Sequence, residues 1–225
     1  MTQSPQNKSA TSSPLAKEMD YIPAGVQSLY EIHDYLHAST ILKHDFPEEF
    51  ADIISAVTAF RIDKKDILQK GGNESNIPKT LSNLLRPLGW KEDNLHAETV
   101  VNGKVIATDT HKIDYVKGRV ALDLEWNSKD QTFDRDLFAF RSFHEFGRIS
   151  LGVIVTRSES LNDSFKTLGV LEKYGASTTW MGKLLPRLDA KRNGGCPILV
   201  FGITPKLITD ISTHSPANSL SSYWK

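Results

Sequence analysis

Residues 113–127 read IDYVKGRVALDLEWN. In the segment RVALDLE, Val120, Leu122 and Leu124 alternate with Ala121, Asp123 and Glu125. Strand side chains alternate across two faces, so one face is apolar and the other carries two carboxylates. With Lys117-Gly118 as the two turn residues of a hairpin, Val116 pairs with Arg119 and Asp114 with Ala121. Directly paired residues of an antiparallel ladder share a face, which adds Asp114 to Asp123 and Glu125. Diagonal neighbours sit about 7–8 Å apart, near enough for two aspartates to lean onto one ion. Three carboxylates on one patch repel one another, and a hard divalent cation such as Mg2+ relieves this through oxygen ligands. Such an ion activates water, polarises a phosphoryl oxygen and offsets transition-state charge. Glu125 is placed to orient or deprotonate the attacking water. The same alternation also describes a solvated sheet face, on which Lys112, Lys117 and Arg119 neutralise the acids as surface pairs. The residues alone leave both readings open.

Working outward, Phe46, Phe50, Ile53, Ile54, Val57 and Phe60 predict a helix with Pro47 in its first turn. Pro78 opens a short helix carrying Leu81, Leu84, Leu85 and Leu88, which Gly89 ends. AETVV, Asn102-Gly103 and KVIATDT predict another tight hairpin. Beyond the acidic segment, residues 134–146 have helical spacing with Asp134 as the cap. Residues 149–156 and 196–203 predict buried strands, and 163–174 and 179–185 helical pieces. His33 and His37 share a helical face without a third ligand nearby and read as surface residues. This order predicts an α/β (α+β) fold, a central mixed β-sheet flanked by helices on both faces. One domain is expected over residues 21–209, between a disordered N-terminal tail, 1–20, and a polar C-terminal tail, 210–225.

The 225 residues carry 27 basic and 27 acidic side chains, so the net charge is zero. A nucleic-acid enzyme of this composition needs a local basic cleft rather than a basic whole. The single cysteine, Cys196, excludes an intrachain disulfide and a cysteine-built metal site. It opens an apolar run and reads as a buried, inert thiol in a reducing compartment. No apolar stretch approaches the ~20 residues needed to cross a bilayer, and the N-terminal stretch lacks the apolar core of a signal peptide. The expectation is a cytoplasmic protein with no membrane partner.

The pattern Asp114, then Asp123-Leu124-Glu125, resembles the PD-(D/E)xK nuclease superfamily, with Glu125 in place of the usual lysine. Within it the chain is similar to type II restriction endonucleases of the BglII and BstYI kind, which have glutamine there; BamHI has glutamate. KIDYVKGRVALDLEW followed by DRDLFAFRSFHEFGRISLGVIVT resembles their active-site hairpin, helix and next strand. LGWKED, residues 88–93, and PILVFGITP, residues 197–205, resemble a motif before the hairpin and a last core strand. The likeness covers about residues 45–206.

This resemblance implies a restriction-endonuclease-like fold and a homodimer in a bacterial or archaeal cytoplasm. It implies hydrolysis of double-stranded DNA with Mg2+ at a short palindrome, with a GATC-centred site as the default. Asp114, Asp123 and the Leu124 carbonyl would hold the metal, and Glu125 would take the activating place. Residues just after the metal strand reach base edges in such enzymes. Here these are Asn127, Ser128 and Lys129, and Asn suits adenine while Lys suits guanine. Ser177, Thr178 and Thr179 in GASTT, and Lys191, Arg192 and Asn193 in AKRNGG, are further candidates for following phosphates or entering a groove. KGGNESN, residues 70–76, is a third such loop. Plain solvated loops are the alternative for all three. Glu49 is an exposed helix residue or an accessory acid. A repair or phage nuclease of the superfamily and a catalytically silent DNA-binding relative are the rival functions. The intact acidic trio counts against silence.

Overall fold

The computed structural model describes residues 21–69, 75–109 and 111–210. The tail expected at 1–20, all but the first residue of the tail expected at 210–225, and residues 70–74 of the KGGNESN stretch lie outside them. The first half runs α1 (Ala24–Leu29), β1 (Tyr30–Tyr35), α2 (Ala38–Asp45), α3 (Pro47–Ala59), β2 (Ile62–Asp63), α4 (Lys64–Leu68) and α5 (Asn76–Leu85). Short strands follow: β3 (Lys91–Asp93), β4 (His96–Val101), β5 (Lys104–Asp109), β6 (Ile113–Lys117) and β7 (Val120–Glu125). The rest is α6 (Thr132–Glu145), β8 (Leu151–Arg157), α7 (Leu161–Thr167), α8 (Met181–Asp189), β9 (Ile198–Ile203) and β10 (Ile208–Thr209).

Six strands form one sheet in the order β1-β9-β8-β7-β6-β3. The central strands β7, β8 and β9 are parallel, and the outer pairings are antiparallel. Every residue of β8 and β9 is buried, which is why both read as unbroken apolar runs. On one face Leu122, Leu124 and Val153 pack with Val26, Leu42, Ile53 and Leu81 of α1, α2, α3 and α5. On the other, Ala121, Ile154 and Val200 pack with Phe133 and Phe140 of α6 and Leu184 of α8. The mixed sheet with helices on both faces is the fold expected. No helix among the described residues is long and apolar enough to cross a membrane.

Several local expectations change. The segment YEIHDY is the edge strand β1, paired antiparallel with β9, rather than helix. His33 lies on that strand, 2.9 Å from Glu31, and His37 adopts φ +59° just before α2, so the two share no helical face. The Asn102-Gly103 turn forms as expected, with φ +50° and +78°, but β4 and β5 make a separate two-stranded ribbon. Asp134 does not cap α6, whose N-cap is Gln131; its carboxylate receives Arg187 Nε at 3.0 Å instead.

The acidic hairpin pairs Lys117 with Val120, Val116 with Ala121 and Tyr115 with Leu122. Gly118-Arg119 is therefore the turn, with Gly118 at φ +53°. Pairing moves by two residues, which keeps every side chain on its face. Continued by one step, the same register sets Asp114 opposite Asp123, closer than the diagonal expected.

Candidate active site

At the C-terminal end of β7, Asp123 is 4% exposed and Glu125 is half-buried. Asp123 Oδ1 accepts the backbone N–H of Asp114 at 2.8 Å. The exposed Asp114 side chain completes the expected trio. A fourth acid joins from α6: Asp136, also 4% exposed. Its carboxyl is hydrogen-bonded to that of Glu125. Asp136 lies three residues after Phe133 and four before Phe140, on the face α6 turns inward. That spacing is visible in the sequence.

Burial, then Asp136, Asp114 and Glu125, hold the Asp123 carboxyl well above the usual carboxylate range, against the pull of the Asp114 N–H. Burial and the nearby Asp114 push Glu125 up to about 7, opposed by the Ser128 hydroxyl and by Arg135. Burial and Glu125 push Asp136 up to about 8, opposed by Arg135. Glu125 Oε2 and Asp136 Oδ2 are buried without a hydrogen-bond partner.

A solvated acidic face would use Lys112, Lys117 and Arg119 as its counter-charges. Each is engaged elsewhere. Lys112 pairs with Glu92 at 2.7 Å and Lys117 with Asp52 at 2.7 Å, while Arg119 Nε donates to Ser150 at 3.0 Å. Asp52 also accepts the indole N–H of the buried Trp90 at 3.0 Å, which ties the LGWKED motif to α3 and β6. Of the gathered acids, Asp123 and Asp136 are buried, and Glu125 and Asp136 each keep one orphaned oxygen.

A set made only of oxygen donors suits a hard divalent cation. Among the described residues, no three His, Cys, Asp or Glu side chains converge as a ready metal cage. A site of two aspartates and one carbonyl does not require such a cage. Mg2+ commonly takes one or two carboxylates and fills its remaining positions with water and substrate phosphate.

Two of the loops singled out in the sequence meet beside these acids. Lys129 pairs with Thr178, Asp130 N–H donates to Ser177 O at 3.0 Å, and Thr179 N–H donates to Ser128 O at 2.9 Å. Ser128, Lys129 and Ser177 are exposed, Asn127 and Thr178 half-buried, and Thr179 buried. Asn127 Nδ2 donates to Lys173 O at 3.4 Å.

The third group lies past the end of α8. Lys191 and Arg192 are exposed, and Arg192 pairs with Asp134. Asn193 is 1% exposed and donates to Cys196 O at 2.6 Å, so it closes a turn and presents nothing to the surface. Glu49 lies against Gly118 at the hairpin turn. That is four residues along β6 from Asp114, roughly 13 Å at strand rise, which removes it from the acidic group. The buried Cys196 thiol is pushed up to about 12 by burial and is unreactive.

The family model for restriction endonuclease BglII/BglIII matches residues 30–203. No curated protein matches the chain. The matched stretch runs from the first residue of β1 to the last of β9, and so takes in all six strands of the main sheet, α6 and the four acids. This chain belongs to the BglII/BglIII restriction endonuclease family, a family of site-specific DNA nucleases.

Proposed function

We propose that the chain hydrolyses phosphodiester bonds of double-stranded DNA with Mg2+, as a type II enzyme acting within a short palindrome. Asp114, Asp123 and the carbonyl of Leu124 are the residues assigned to the metal. The observation that carries this reading is that Asp114, Asp123, Glu125 and Asp136 lie near enough for their charges to act on one another, while Lys112, Lys117 and Arg119 pair elsewhere. Bound there, Mg2+ would supply a Lewis acid and a water of lowered pKa.

The chain's own groups then have separate tasks. Asp123 is oriented by the Asp114 N–H. Glu125 Oε2 has no partner and is the group assigned to orient the attacking water and take its proton. The Ser128 hydroxyl and the Asp136 carboxyl both hydrogen-bond Glu125 and limit its rotation. The segment Asn127–Lys129, in which Ser128 and Lys129 are exposed, follows β7 after Trp126 alone, so its side chains start within one or two base-pair steps of the scissile phosphate at ~3.3 Å per residue.

A palindrome has two-fold symmetry, and a two-fold dimer matches it. With a net charge of zero on each copy, a basic cleft is best built from two. The bacterial or archaeal cytoplasm is the proposed place of action, and a GATC-centred sequence the proposed target. Incubation with phage DNA and Mg2+ tests this reading. Discrete fragments are expected, with light scattering near twice the 25.1 kDa chain mass. Absence of cleavage, or a structureless smear from a monomer, would contradict it.

A further inference from the structure

The last residue of β8, Arg157, is 1% exposed, although arginine almost never lies fully buried without an acidic partner. It sits among three aromatic rings. Its guanidinium carbon lies 5.9 Å from the Trp126 ring centre, 5.6 Å from Phe165 and 5.2 Å from Tyr174. The rings themselves interlock, with Phe165 stacked on Tyr174 at 4.2 Å and Trp126 edge-on to both.

Every hydrogen bond of this side chain runs to one turn. Arg157 Nε donates to Thr179 O at 3.0 Å, and Nη2 donates to the same oxygen at 2.8 Å and to Thr178 Oγ1. Nη1 donates to Tyr174 O at 3.3 Å. Residues 175–179 belong to no helix or strand, so without the guanidinium the buried carbonyls of Tyr174 and Thr179 would lose their donors. A planar fork of five N–H groups serves several acceptors at fixed angles, which lysine cannot do.

The same turn pairs with residues 128–130 through Lys129 and Thr178. The strand beside it contributes as well: Thr156 Oγ1 donates to Glu125 O at 2.8 Å. Arg157 therefore joins three things: the end of β8, the 174–179 turn, and, through that turn, the segment that follows the acidic strand.

We propose that Arg157 is the positioning residue of a composite DNA-reading surface, holding the 174–179 turn against residues 128–130 so that Ser128, Lys129 and Ser177 meet the duplex as one rigid unit. This rests on the reading that these loops face DNA. Arg157 touches no DNA in this scheme; it fixes the residues that do. Preorganisation of this kind shows in binding and discrimination, because a loop ordered in advance loses less entropy on contact.

The test uses the full chain and the duplex sequence found at the ends of the phage fragments. Arg157→Met keeps an apolar side chain among the rings and removes the donors. Its KM on that duplex should rise, and its preference over duplexes changed at one base pair should fall, each by about tenfold, the worth of one good base contact. Its kcat should change by a smaller factor than its KM. Arg157→Lys should fall between Met and wild type. Thr178→Val, which removes one acceptor at the rim of the turn, should shift preference in the same direction, and it decides the question if Arg157→Met does not fold. A folded Arg157→Met, or failing that Thr178→Val, with wild-type KM and preference overturns the proposal. Lys129→Ala separates the layers. If it relaxes preference and Arg157→Met does not, this inference alone fails; if neither does, the loops do not read DNA.

Discussion

Among single residues, Asp136 differs most from what its sequence neighbourhood suggests. Asp114, Asp123 and Glu125 were legible because strand side chains alternate strictly, whichever turn closes the hairpin. Asp136 needed knowledge of which stripe of α6 meets β7, and that depends on tertiary packing. Its cost can be read against pH in metal-free protein. Burial and Glu125 put Asp136 near 8, and burial and Asp114 put Glu125 near 7, while ordinary carboxylates titrate near 4. Between those limits the folded chain holds protons that the unfolded chain has released, so this part of its stability falls as pH rises from about 4 to about 8. His111 acts oppositely: burial and Arg135 lower its pKa, so its part of the stability falls as pH drops through its unfolded value near 6.5. Comparing wild type with Asp136→Asn cancels the His111 contribution. In EDTA, the variant is expected to melt several degrees above wild type at about pH 8, with the gap closing by about pH 5. A gap that does not change with pH would contradict the picture of a strained acid at 136.

The register of the acidic hairpin is set at the level of elements. A two-residue turn through Gly118 can be 117–118 or 118–119, and the two choices differ by two in pairing. Parity is the same for both, so the sequence could assign faces but not the partner of Asp114. The backbone of Gly118, at φ +53°, selects the second. A methyl group there would be strained and would also run into the Glu49 carboxylate. Gly118→Ala is therefore expected to lose about 1–2 kcal/mol in urea unfolding, the left-handed backbone cost of a residue with a Cβ. Glu49→Ala in the same chain should recover part of this. No loss on Gly118→Ala would mean that the turn lies elsewhere. Strand β1 was missed for a different reason. Of YEIHDY only Tyr30 is buried, so an edge position leaves a weak alternation interrupted by charge, whereas β8 and β9 are buried throughout and unmistakable.

For the whole molecule, the helix–sheet–helix layering followed from the order of elements, and the place of the site followed from the parallel core. Glu125 and Arg157 both end their strands at the same edge of the sheet, with Glu125 paired to Thr156, and ligands of such sheets bind beyond the carboxyl ends of parallel strands. What composition hid was local order. A net charge of zero says nothing of four acids gathered at one edge, or of a buried arginine beneath the neighbouring loop. Both arise from contacts between segments far apart in the chain, such as α6 on β7 and the 174–179 turn on residues 128–130. The central claim is that the gathered acids hold the catalytic metal, and Asp123→Ala tests it most directly. Wild type and variant would be titrated with the duplex that wild type cuts, in Mg2+, with binding, cleavage and melting followed together. The expected variant folds, because losing a repelling charge leaves core packing intact. It binds the duplex as well as wild type or better, and it cleaves more slowly by roughly a thousandfold or more, the scale of a lost metal contribution of several kcal/mol. Cleavage at the wild-type rate by a folded Asp123→Ala would contradict the claim.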